Sequence, residues 1–403
     1  MINTPIFSTD KPDLLCLSHL RWKFVFQRPQ HLMSRFAKER RVFFVEEPVF
    51  SDAESHLNVE VCPQTGVRIA VPFLKNGTPP DLIAMEIRTL LDRLIIDHEI
   101  RPNYLLWYYT PTAISFSSHL RPAATVFDCM DELSAFHGAP AALKQNEEEL
   151  FRRADVVFTG GHSLYEAKKK QHHNIHAFPS SVDVDHFRKA RTHSCEPEDQ
   201  AGIPHPRLGY VGVIDERMDL ELLEQSAKLR PDWHFIMVGP VVKIQPDSLP
   251  KAPNIHYLGG KSYAELPAYL AGWDVAMMPF ARNESTKFIS PTKTPEYLAA
   301  GKPVVSTSIR DVVRPYGESG LARIADSPAD FVAAAEYAMK NSGAEWLAQV
   351  DEVLKTMSWN QTWAEMKALI EDAAVSSRAG DVKRSVLAMT NQGNGGTEAC
   401  LTI

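Results

Sequence analysis

Lys293 and Glu296 are the residues of this chain whose types and spacing most directly suggest ligand chemistry. Both lie near the start of a predicted helix in the stretch SPTKTPEYLAAGKPVVST, which begins at Ser290. The unpaired amide groups of a helix N-terminus, together with a neighbouring ammonium group, form an anion site that a diphosphate fits in size. The carboxylate of Glu296 can accept hydrogen bonds from two hydroxyl groups, so a ribose diol is its natural partner. The alternative is that Glu296 only complements the helix dipole.

The prolines of this stretch restrict where the helix can start. Ser290 is a good N-cap, so one candidate helix begins directly after it. Pro295 has no N–H group, however, and inside a helix it would cost about 3 kcal/mol. The cheaper arrangement uses Thr294 as the cap and Pro295 as the first helical residue, and it leaves Ser290–Lys293 as a separate turn. Gly301 then ends the helix before the strand-like residues KPVVST.

Two glycines that follow predicted strands lie in the same half of the chain. Gly212 follows the strand of GYVGV, and Gly239 ends the strand of WHFIMVG. A glycine lets the backbone approach a phosphate closely, and Arg217 would add the formal charge that a diphosphate needs. Because a glycine after a strand is common, ordinary turns remain the alternative.

The stretch WKFVFQRPQHL places several polar side chains in a loop after the first predicted strand. Arg28 and His31 could contact a phosphate or a hydroxyl group of a ligand. The alternative is that Arg28 and the following proline simply begin a helix. Trp22, Arg28 and Gln30 of this loop are candidate binding residues, and His31 is a candidate catalytic residue.

Three acidic residues, Asp128, Asp131 and Glu132, follow another predicted strand in the stretch FDCMDEL. Acidic side chains this close repel one another unless they bind a cation or a polyol, or transfer protons. We expect Asp128 or Asp131 to act as a general base, and Glu132 to contact a ligand. His162, which opens a helix after the residues TGG, is a further candidate.

The 403 residues have the composition of an ordinary globular protein, with 44% hydrophobic and 23% charged residues. A net charge of −7 argues against a nucleic-acid-binding surface. The five cysteines are scattered and have no histidine at metal-ligand spacing, so neither a zinc site nor a disulfide framework is expected. No secretion signal is visible, and no apolar run approaches the ~20 residues of a membrane span. We therefore expect a cytoplasmic protein. Peripheral contact with the inner face of the membrane stays open, with the basic run Lys168–Lys170 as its candidate.

Apolar runs typical of buried strands alternate with helical periodicity along most of the chain, which predicts doubly wound parallel sheets. The alternation lapses in a polar, proline-containing segment and restarts with RLGYVGV. We therefore predict an α/β protein whose two doubly wound, Rossmann-like domains face each other across a cleft, where ligands of such sheets bind. The predicted parts are a first domain at 1–187, a linker at 188–206, a second domain at 207–358, a helix at 359–375 that packs back across the domain junction, and a disordered tail at 376–403.

The stretch PEYLAAGKPVVST resembles the carboxy-terminal signature of glycosyltransferases with the GT-B fold, in particular the large family 4, or group 1. In that signature a glutamate at a helix start holds the ribose of the donor nucleotide, and Glu296 matches its position. The segments LSHLRWKFVFQRPQHLMSRFAKERRVFFVEEPVF, FDCMDELSAF and GYVGVIDERMDLELL resemble a subgroup of bacterial envelope-polysaccharide and teichuronic-acid-type transferases. The family often has an earlier glutamate eight positions before this one, and here that position is Phe288.

The resemblance implies a hexosyltransferase (EC 2.4) that moves a sugar from a nucleotide-diphosphate sugar to a glycan or a lipid-linked acceptor in polysaccharide biosynthesis. It also implies retention of configuration, a UDP-sugar as the favoured donor, and no catalytic metal or other cofactor. On this interpretation the first domain presents the acceptor, and Asp128 or Asp131 would be the base toward a sugar hydroxyl, with His31 as a further catalytic candidate. The acceptor-side residues are then Trp22, Arg28, Gln30, Glu132 and His162. The donor-binding residues are then Gly212, Arg217, Gly239, Ser290, Lys293 and Glu296.

Two other functions stay open. A nucleotide-sugar 2-epimerase with the same fold would interconvert the donor without any acceptor. A non-catalytic nucleotide-sugar-binding or scaffold protein is the second alternative, and it is supported by Phe288 at the place of the earlier glutamate. FAD or NAD chemistry is not expected, because no GxGxxG fingerprint follows the first strand.

Overall fold

The computed structural model of the protein describes residues 11–193 and 195–393. They form two β-sheets, one from strands that precede residue 178 and one from strands that follow residue 206. Helices pack against each sheet and enclose separate hydrophobic clusters. The predicted α/β architecture with two doubly wound sheets is therefore confirmed.

The first sheet has nine strands in the described part of the chain. They are β1 (Leu14–Leu17), β2 (Val42–Val45), β3 (Val49–Ser51), β4 (His56–Val61), β5 (Arg68–Lys75), β6 (Leu105–Tyr108), β7 (Ala124–Cys129), β8 (Val156–Thr159) and β9 (Ile175–Ala177). Their order is β3-β5-β2-β1-β6-β7-β8-β9, and β4 pairs antiparallel with β5 as the predicted hairpin. Because β1 lies between β2 and β6, the strand order reverses there, and its carboxyl end is a natural ligand site.

The central strands of this sheet are continuous apolar runs because both of their faces are covered. Every residue of β1 and β2 is buried. Leu14 and Cys16 join the hydrophobic cluster on one face of the sheet, whereas Leu15 and Leu17 join the cluster on the other. The strand thus contributes to two cores and is fixed in register.

Five of the helices described in this half belong to the first domain, a sixth ends at the start of the predicted linker, and a seventh lies within that linker. They are α1 (Arg28–Phe36), α2 (Pro80–Asp97), α3 (Ile114–Ser117), α4 (Leu143–Arg153), α5 (His162–Lys168), α6 (Val184–Arg188) and α7 (Glu198–Ala201). The linker is tied to the second domain by Arg191, whose Nη1 and Nη2 atoms donate to Asp351 at 2.9 and 2.8 Å. It is therefore packed against that domain over part of its length.

The second sheet is parallel and has six strands in the described residues. They are β10 (Arg207–Val211), β11 (His234–Val238), β12 (Ile255–Gly259), β13 (Val275–Met278), β14 (Val304–Ser306) and β15 (Ala322–Ile324). Their order is β12-β11-β10-β13-β14-β15. The strand order reverses between β10 and β13, so a ligand is expected beyond the carboxyl ends of these strands.

The helices of the second half end with a long one that returns to the first domain. They are α8 (Leu220–Leu229), α9 (Leu266–Ala271), α10 (Lys293–Ala299), α11 (Arg310–Val312), α12 (Pro328–Asn341), α13 (Ala344–Leu354) and α14 (Trp359–Gly393). Trp359, Met366 and Ile370 of α14 pack in the hydrophobic cluster of β1 and α1. The backbone of α14 continues past residue 375, where the sequence predicts a disordered tail, and residues 394–403 of that tail lie outside the described residues.

Candidate functional site

A cavity of about 870 Å³ lies between the two domains and is called the main cleft below. The first domain contributes the loop Trp22–Phe26 and the turn Cys62–Thr65. The second domain contributes the segments that follow β10, β11 and β12, namely Val211–Val213, Val238–Pro240 and Gly260–Ala264. The cleft therefore opens where strand topology predicts a ligand.

Two glycines form the floor of the main cleft on the side of the second domain. Gly212 has φ +144° and Gly239 has φ +150°, and L-residues with a side chain rarely adopt either conformation. A Cβ atom on Gly239 would lie 1.8 Å from the carbonyl oxygen of Gly212. A Cβ atom on Gly212 would lie 2.3 Å from Cε of Lys293. The predicted donor residues Gly212, Gly239 and Lys293 are thus brought together.

Helix α10 begins two residues earlier than the cheaper arrangement predicted from the sequence. Its first residue is Lys293 and its N-cap is Thr292, so the prediction that Pro295 begins the helix is wrong. Pro295 lies in the first turn, where the amide groups have no partner inside the helix and a missing N–H group costs little. Lys293 and Glu296 consequently share the first turn of α10, and both are half-buried.

Lys293 and Glu296 carry opposite charges, and each charge partly offsets the effect of burial on the pKa of the other. Burial lowers the pKa of Lys293, and the positive charge of Arg217 acts in the same direction. Burial also raises the pKa of Glu296, and Lys293 partly offsets this effect. The ammonium group lies 5.5 Å from the ring centroid of Tyr210 and 5.9 Å from that of Phe280. An anionic ligand would restore the full charge of Lys293.

Arg217 is held at the cleft by Asp215. Its Nε atom donates to both carboxylate oxygens, at 2.9 and 3.1 Å, and its Nη2 atom donates to one of them at 2.6 Å. The guanidinium also lies 5.7 Å from the ring centroid of Phe136 in the first domain. Arg217 therefore faces across the cleft in a fixed orientation.

Asp131 is the predicted acid that reaches this cluster of charges. Burial raises the pKa of Asp131, whereas the positive charges of Arg217, Arg28 and Lys293 lower it. In the described part of the chain its carboxylate makes no side-chain hydrogen bond, and it is half-buried. Asp131 is thus an unpaired acid of the first domain that faces cations of the second.

Asp128 and Arg28 form a buried ion pair beneath the cleft, contrary to their predicted roles. The Nε and Nη2 atoms of Arg28 each donate to one oxygen of Asp128 at 2.9 Å, and Nη1 donates to the carbonyl of Phe178 at 2.6 Å. The Asp128 side chain is 0% exposed. Burial raises the pKa of Asp128, and Arg28 counteracts this shift. Because the Asp128 carboxylate is buried and paired with Arg28, it is not exposed to a sugar hydroxyl in this structure, and the Arg28 guanidinium is likewise engaged.

His31, Gln30 and Trp22 also have partners inside the protein. The ring of His31 stacks on Trp359 of α14 at 4.5 Å, and burial lowers its pKa to about 3. Gln30 Nε2 donates to the carbonyl of Trp22 at 2.9 Å, and the Trp22 amide donates to Glu46 at 2.8 Å. These residues shape the loop that lines the cleft, and of the three only Trp22 lines it directly.

The remaining candidates lie away from the main cleft. Glu132 is paired with Lys168 at 2.7 Å, and Lys168 also pairs with Glu147. Lys168 is therefore buried, whereas Lys169 and Lys170 are exposed, so only two lysines of the run face solvent. His162 is exposed and lines a separate cavity of about 450 Å³.

Ser290 and Phe288 connect the two domains. A Cβ atom on Gly161 of the first domain would lie 2.6 Å from Cβ of Ser290. Phe288 packs against a hydrophobic cluster of the first domain. Ser290 therefore supports the domain contact, and Phe288 makes an apolar contact at the position where the related signature has a glutamate.

Sequence reasoning missed Tyr263, which lines the main cleft, and also Asp215 and Phe136, which contact Arg217. The hydroxyl of Tyr263 is buried without a partner in the described residues, and the charge of Glu296 helps to raise its pKa. The position of Tyr263 in the segment that follows β12 was the available signal. The positions of Asp215 and Phe136 depend on the contact between the domains, which one sequence does not reveal.

The described residues contain neither a metal-binding cluster nor a membrane-spanning helix. No group of three or more His, Cys, Asp or Glu side chains is arranged to hold a metal ion. Among the helices described, none combines the length and apolar character needed to cross a membrane.

Comparison with known proteins gives a family for the second domain and a fold for the whole chain. Residues 205–341 match the model of the family Glycosyl transferases group 1. A protein of Bacillus subtilis (strain 168) named "Putative teichuronic acid biosynthesis glycosyltransferase TuaH" is 26% identical over 295 residues, which cover 68% of this chain and 74% of that protein.

Solved structures show the same architecture. Sucrose-phosphate synthase from Thermosynechococcus elongatus has a TM-score of 0.62 at 12% identity, with 94% of this chain and 100% of that chain covered. HepE of Anabaena, solved in complex with UDP and glucose, has a TM-score of 0.63 at 14% identity, with 89% and 99% covered. The overall fold is that of the GT-B glycosyltransferases.

Proposed function

We propose that this chain is a glycosyltransferase that moves a sugar from a nucleotide-diphosphate sugar to an acceptor in polysaccharide biosynthesis. The match of residues 205–341 to the group 1 family, the similarity to the Bacillus protein and the GT-B fold support the proposal. One observation carries the proposal. Lys293, the first residue of α10, lies against the glycine floor of the main cleft, with Glu296 in the same helical turn and Arg217 opposite the first domain.

Each of these groups suits one part of the donor. The diphosphate lies on the backbone of Gly212, with Lys293 and Arg217 as its cations, since glycine permits a close approach and the cations balance the charge. Glu296 accepts hydrogen bonds from the ribose hydroxyls. UDP is the favoured nucleotide, because HepE was solved with UDP and glucose. No metal is invoked, since Lys293 and Arg217 provide positive charge at the leaving group.

The cations also suit the chemical step. When the bond between the sugar and the diphosphate breaks, negative charge grows on the leaving oxygen, and preorganised cations stabilise it. Closure of the two domains on the substrates would exclude water, which favours transfer over hydrolysis. Because Asp128 is closed off by Arg28, Asp131 is the remaining candidate base. Retention of configuration, with a donor phosphate oxygen taking the acceptor proton, needs no such base and is the mechanism we propose.

The setting is inferred from the curated relative. That Bacillus protein is named for teichuronic acid biosynthesis, so we propose a cell-envelope polysaccharide as the product of this chain. The acceptor is a growing glycan or its lipid-linked precursor. Catalysis at the inner face of the membrane, by a peripherally bound enzyme, follows from this setting.

The experiment is a nucleotide panel on the purified protein. Thermal unfolding is measured with UDP, GDP, ADP, CMP and their sugars, for the wild type, for Glu296→Gln and for the exposed control Glu284→Gln. We expect one nucleoside diphosphate to raise the melting temperature of the wild type and the control, and to have little effect on Glu296→Gln. The proposed site would be contradicted if no nucleotide raised the melting temperature. It would also be contradicted if Glu296→Gln showed the same rise as the wild type.

A further inference from the structure

The cavity of about 450 Å³ that His162 lines is called the hinge cavity below, because it lies where the chain passes between the two domains. The chain first crosses between Phe178, which packs on a hydrophobic cluster of the first domain, and Val182, which belongs to the cluster of the second. It crosses back between Leu354 in the cluster of the second domain and Trp359 in that of the first. Residues of both crossings line the cavity, so an occupant would contact both connections at once.

Four parts of the chain form the lining of the hinge cavity. They are the first turn of α5, the strand β9 with the residues that follow it, the segment before α14, and the first two turns of α14. The volume lies within the range of about 300–1,000 Å³ that is usual for small-molecule sites. The lining includes His162 and Tyr165 of α5, Phe178 and Ser181 after β9, and Thr362 and Glu365 of α14.

The backbone of the first crossing is held in place by the first domain. The amide of Phe178 donates to the carbonyl of Thr159 at 2.9 Å, and the carbonyl of Phe178 accepts from Nη1 of Arg28 at 2.6 Å. Arg28 is itself fixed by the buried ion pair with Asp128. This wall of the hinge cavity is therefore formed before a ligand binds, which lowers the entropic cost of binding.

Ser181 contributes a hydroxyl group without a partner to the lining. The residue is 4% exposed, and its Oγ atom makes no hydrogen bond to any residue that the structure describes. Buried hydroxyl groups are normally hydrogen-bonded, because leaving one unsatisfied is unfavourable. A polar ligand in the hinge cavity would supply the missing partner.

Other polar groups of the lining are also free to bind a ligand. The ring of His162 and the hydroxyl groups of Tyr165 and Thr362 make no hydrogen bond within the described ranges. Glu365 accepts one hydrogen bond, from Nε2 of Gln361 to its Oε1 atom at 2.9 Å, which leaves its Oε2 atom available. Because these donors and acceptors surround one cavity, they suit a ligand that carries several hydroxyl groups.

The charge of the lining argues against an anionic ligand. In the described part of the chain the lining contains no lysine or arginine, and Glu365 is its one carboxylate. A phosphate or a sulfate would meet no guanidinium or ammonium group there and would be repelled by Glu365. His176 does not change this balance, because burial lowers the pKa of its ring. The hinge cavity therefore favours a neutral ligand.

Apolar surface lies beside these polar groups. Ile175, Phe178, Pro179, Met357 and the ring of Tyr165 all line the hinge cavity. A pyranose ring carries hydroxyl groups around its rim and C–H groups on its faces, so it needs polar partners and apolar surface in the same site. The lining offers both, which distinguishes a saccharide from a purely apolar ligand.

The start of α5 connects the hinge cavity with the contact between the domains. His162 directly follows Gly161, and a Cβ atom on Gly161 would lie 2.6 Å from Cβ of Ser290. Ser290 precedes Lys293 of the proposed donor site by three residues. The first turn of α5 thus lines the hinge cavity, while the residue before it touches the segment that leads to the donor site.

We propose that the hinge cavity binds a neutral saccharide unit of the glycan on which the enzyme acts. The inference rests on the proposed transferase function, which supplies a glycan as the acceptor or the product. The unit bound there is remote from the reacting hydroxyl group, because Gly212 and Gly239 of the proposed donor site line the main cleft and not this cavity. The hinge cavity is therefore a binding site for the glycan and not a second catalytic centre.

The test measures binding of neutral methyl glycosides to the full chain by saturation-transfer NMR. The probes are the methyl glycosides of glucose, galactose, N-acetylglucosamine and N-acetylgalactosamine. We expect at least one of them to bind, and methyl glucuronide and inorganic phosphate to bind at least about tenfold more weakly than the best neutral probe, because Glu365 repels them. The proposal would be overturned if no neutral glycoside bound, or if the anions bound equally well.

Three variants locate the binding. Ser181→Ala removes the unpartnered hydroxyl and should weaken the best glycoside about fivefold, whereas Ser180→Trp fills the cavity and should abolish binding. Ser226→Ala is the matched control, since Ser226 is 1% exposed and its Oγ atom also lacks a described partner, but it lies on α8 and does not line the hinge cavity. It should bind like the wild type. Wild-type affinity in both Ser181→Ala and Ser180→Trp would refute the assignment.

Hydrogen exchange on the wild type locates the ligand even if Ser180→Trp fails to fold. The glycoside should slow exchange in peptides that cover residues 175–182 and 354–365, and slowing confined to the loops of the main cleft would contradict the proposal. UDP binding is measured separately on the same protein. Glycoside binding without UDP binding would count against the proposed transferase function alone, and the reverse result would count against this inference alone.

Discussion

The side chain of Lys293 lies directly over the backbone of Gly212, so that a Cβ atom on this glycine would be 2.3 Å from Lys293 Cε. Lys293, which begins α10, is thereby in contact with Gly212, which follows the central strand β10. The contact depends on the absence of a side chain on Gly212.

We therefore predict that Gly212→Ala lowers nucleotide affinity by about a hundredfold, since a methyl group displaces Lys293 and the backbone conformation is strained. Titration calorimetry with UDP measures the change. Gly320→Ala is the control, because Gly320 also has a positive φ of +74° but nothing lies within 4 Å of its Cβ position. Gly320→Ala should lose stability and keep its affinity for UDP. Equal affinities of the two variants would contradict the role of Gly212.

Substitutions of Asp128 and Asp131 should have different effects on stability and on UDP affinity. Asp128→Asn leaves the buried guanidinium of Arg28 without its counter-charge, so we expect a loss of about 3 kcal/mol in the free energy of unfolding. Its affinity for UDP should change little, since Asp128 does not reach the cleft. Chemical denaturation and calorimetry on the same preparation measure both quantities.

Asp131→Asn should behave in the opposite way. Removing this negative charge beside Arg217 and Lys293 should tighten UDP binding about threefold and leave the free energy of unfolding nearly unchanged. The rate of sugar transfer should fall if Asp131 orients the acceptor. Weaker UDP binding by Asp131→Asn would show that this carboxylate does not oppose the diphosphate.

The buried ring of His31 predicts a pH dependence of stability. Burial lowers its pKa to about 3, and the charges of Arg35 and His186 act in the same direction. Because the unfolded chain binds the proton near pH 6.5, stability is lost as the pH falls below that value, by about 2 kcal/mol at pH 5 from this residue.

Denaturation of His31→Gln between pH 7 and pH 5 tests this expectation. The variant should lose less stability over that interval than the wild type, whatever its stability at pH 7. The exposed His137→Gln variant should retain the wild-type slope. A slope for His31→Gln equal to that of the wild type would mean that folding does not change the pKa of His31.

The strand pattern could be predicted from the sequence because both faces of the sheets are covered and the strands read as continuous apolar runs. β1 and β10 are examples, and the glycine after β10 was found for the same reason. β15 was missed, since its three residues are too short to show a pattern. The start of α10 was misplaced because the cost of a proline was applied to a first turn, where it is small.

The roles of individual side chains were harder to predict, because they depend on partners far apart in the chain. Arg28 and Asp128 are separated by 100 residues, and their pairing closes both to ligands. Lys168 is neutralised by Glu132 and Glu147 through the packing of α5 on α4. Residue type and spacing identify a set of candidates, and tertiary pairing selects among them.

The central claim is that Lys293 binds the diphosphate of the donor while Glu296 binds its ribose. Titration of UDP and UMP into the wild type, Lys293→Met and Glu296→Gln tests it most directly. We predict that the wild type prefers UDP to UMP, that Lys293→Met loses most of this preference, and that Glu296→Gln binds both more weakly while keeping the preference. A preference for UDP that is undiminished in Lys293→Met would contradict the account.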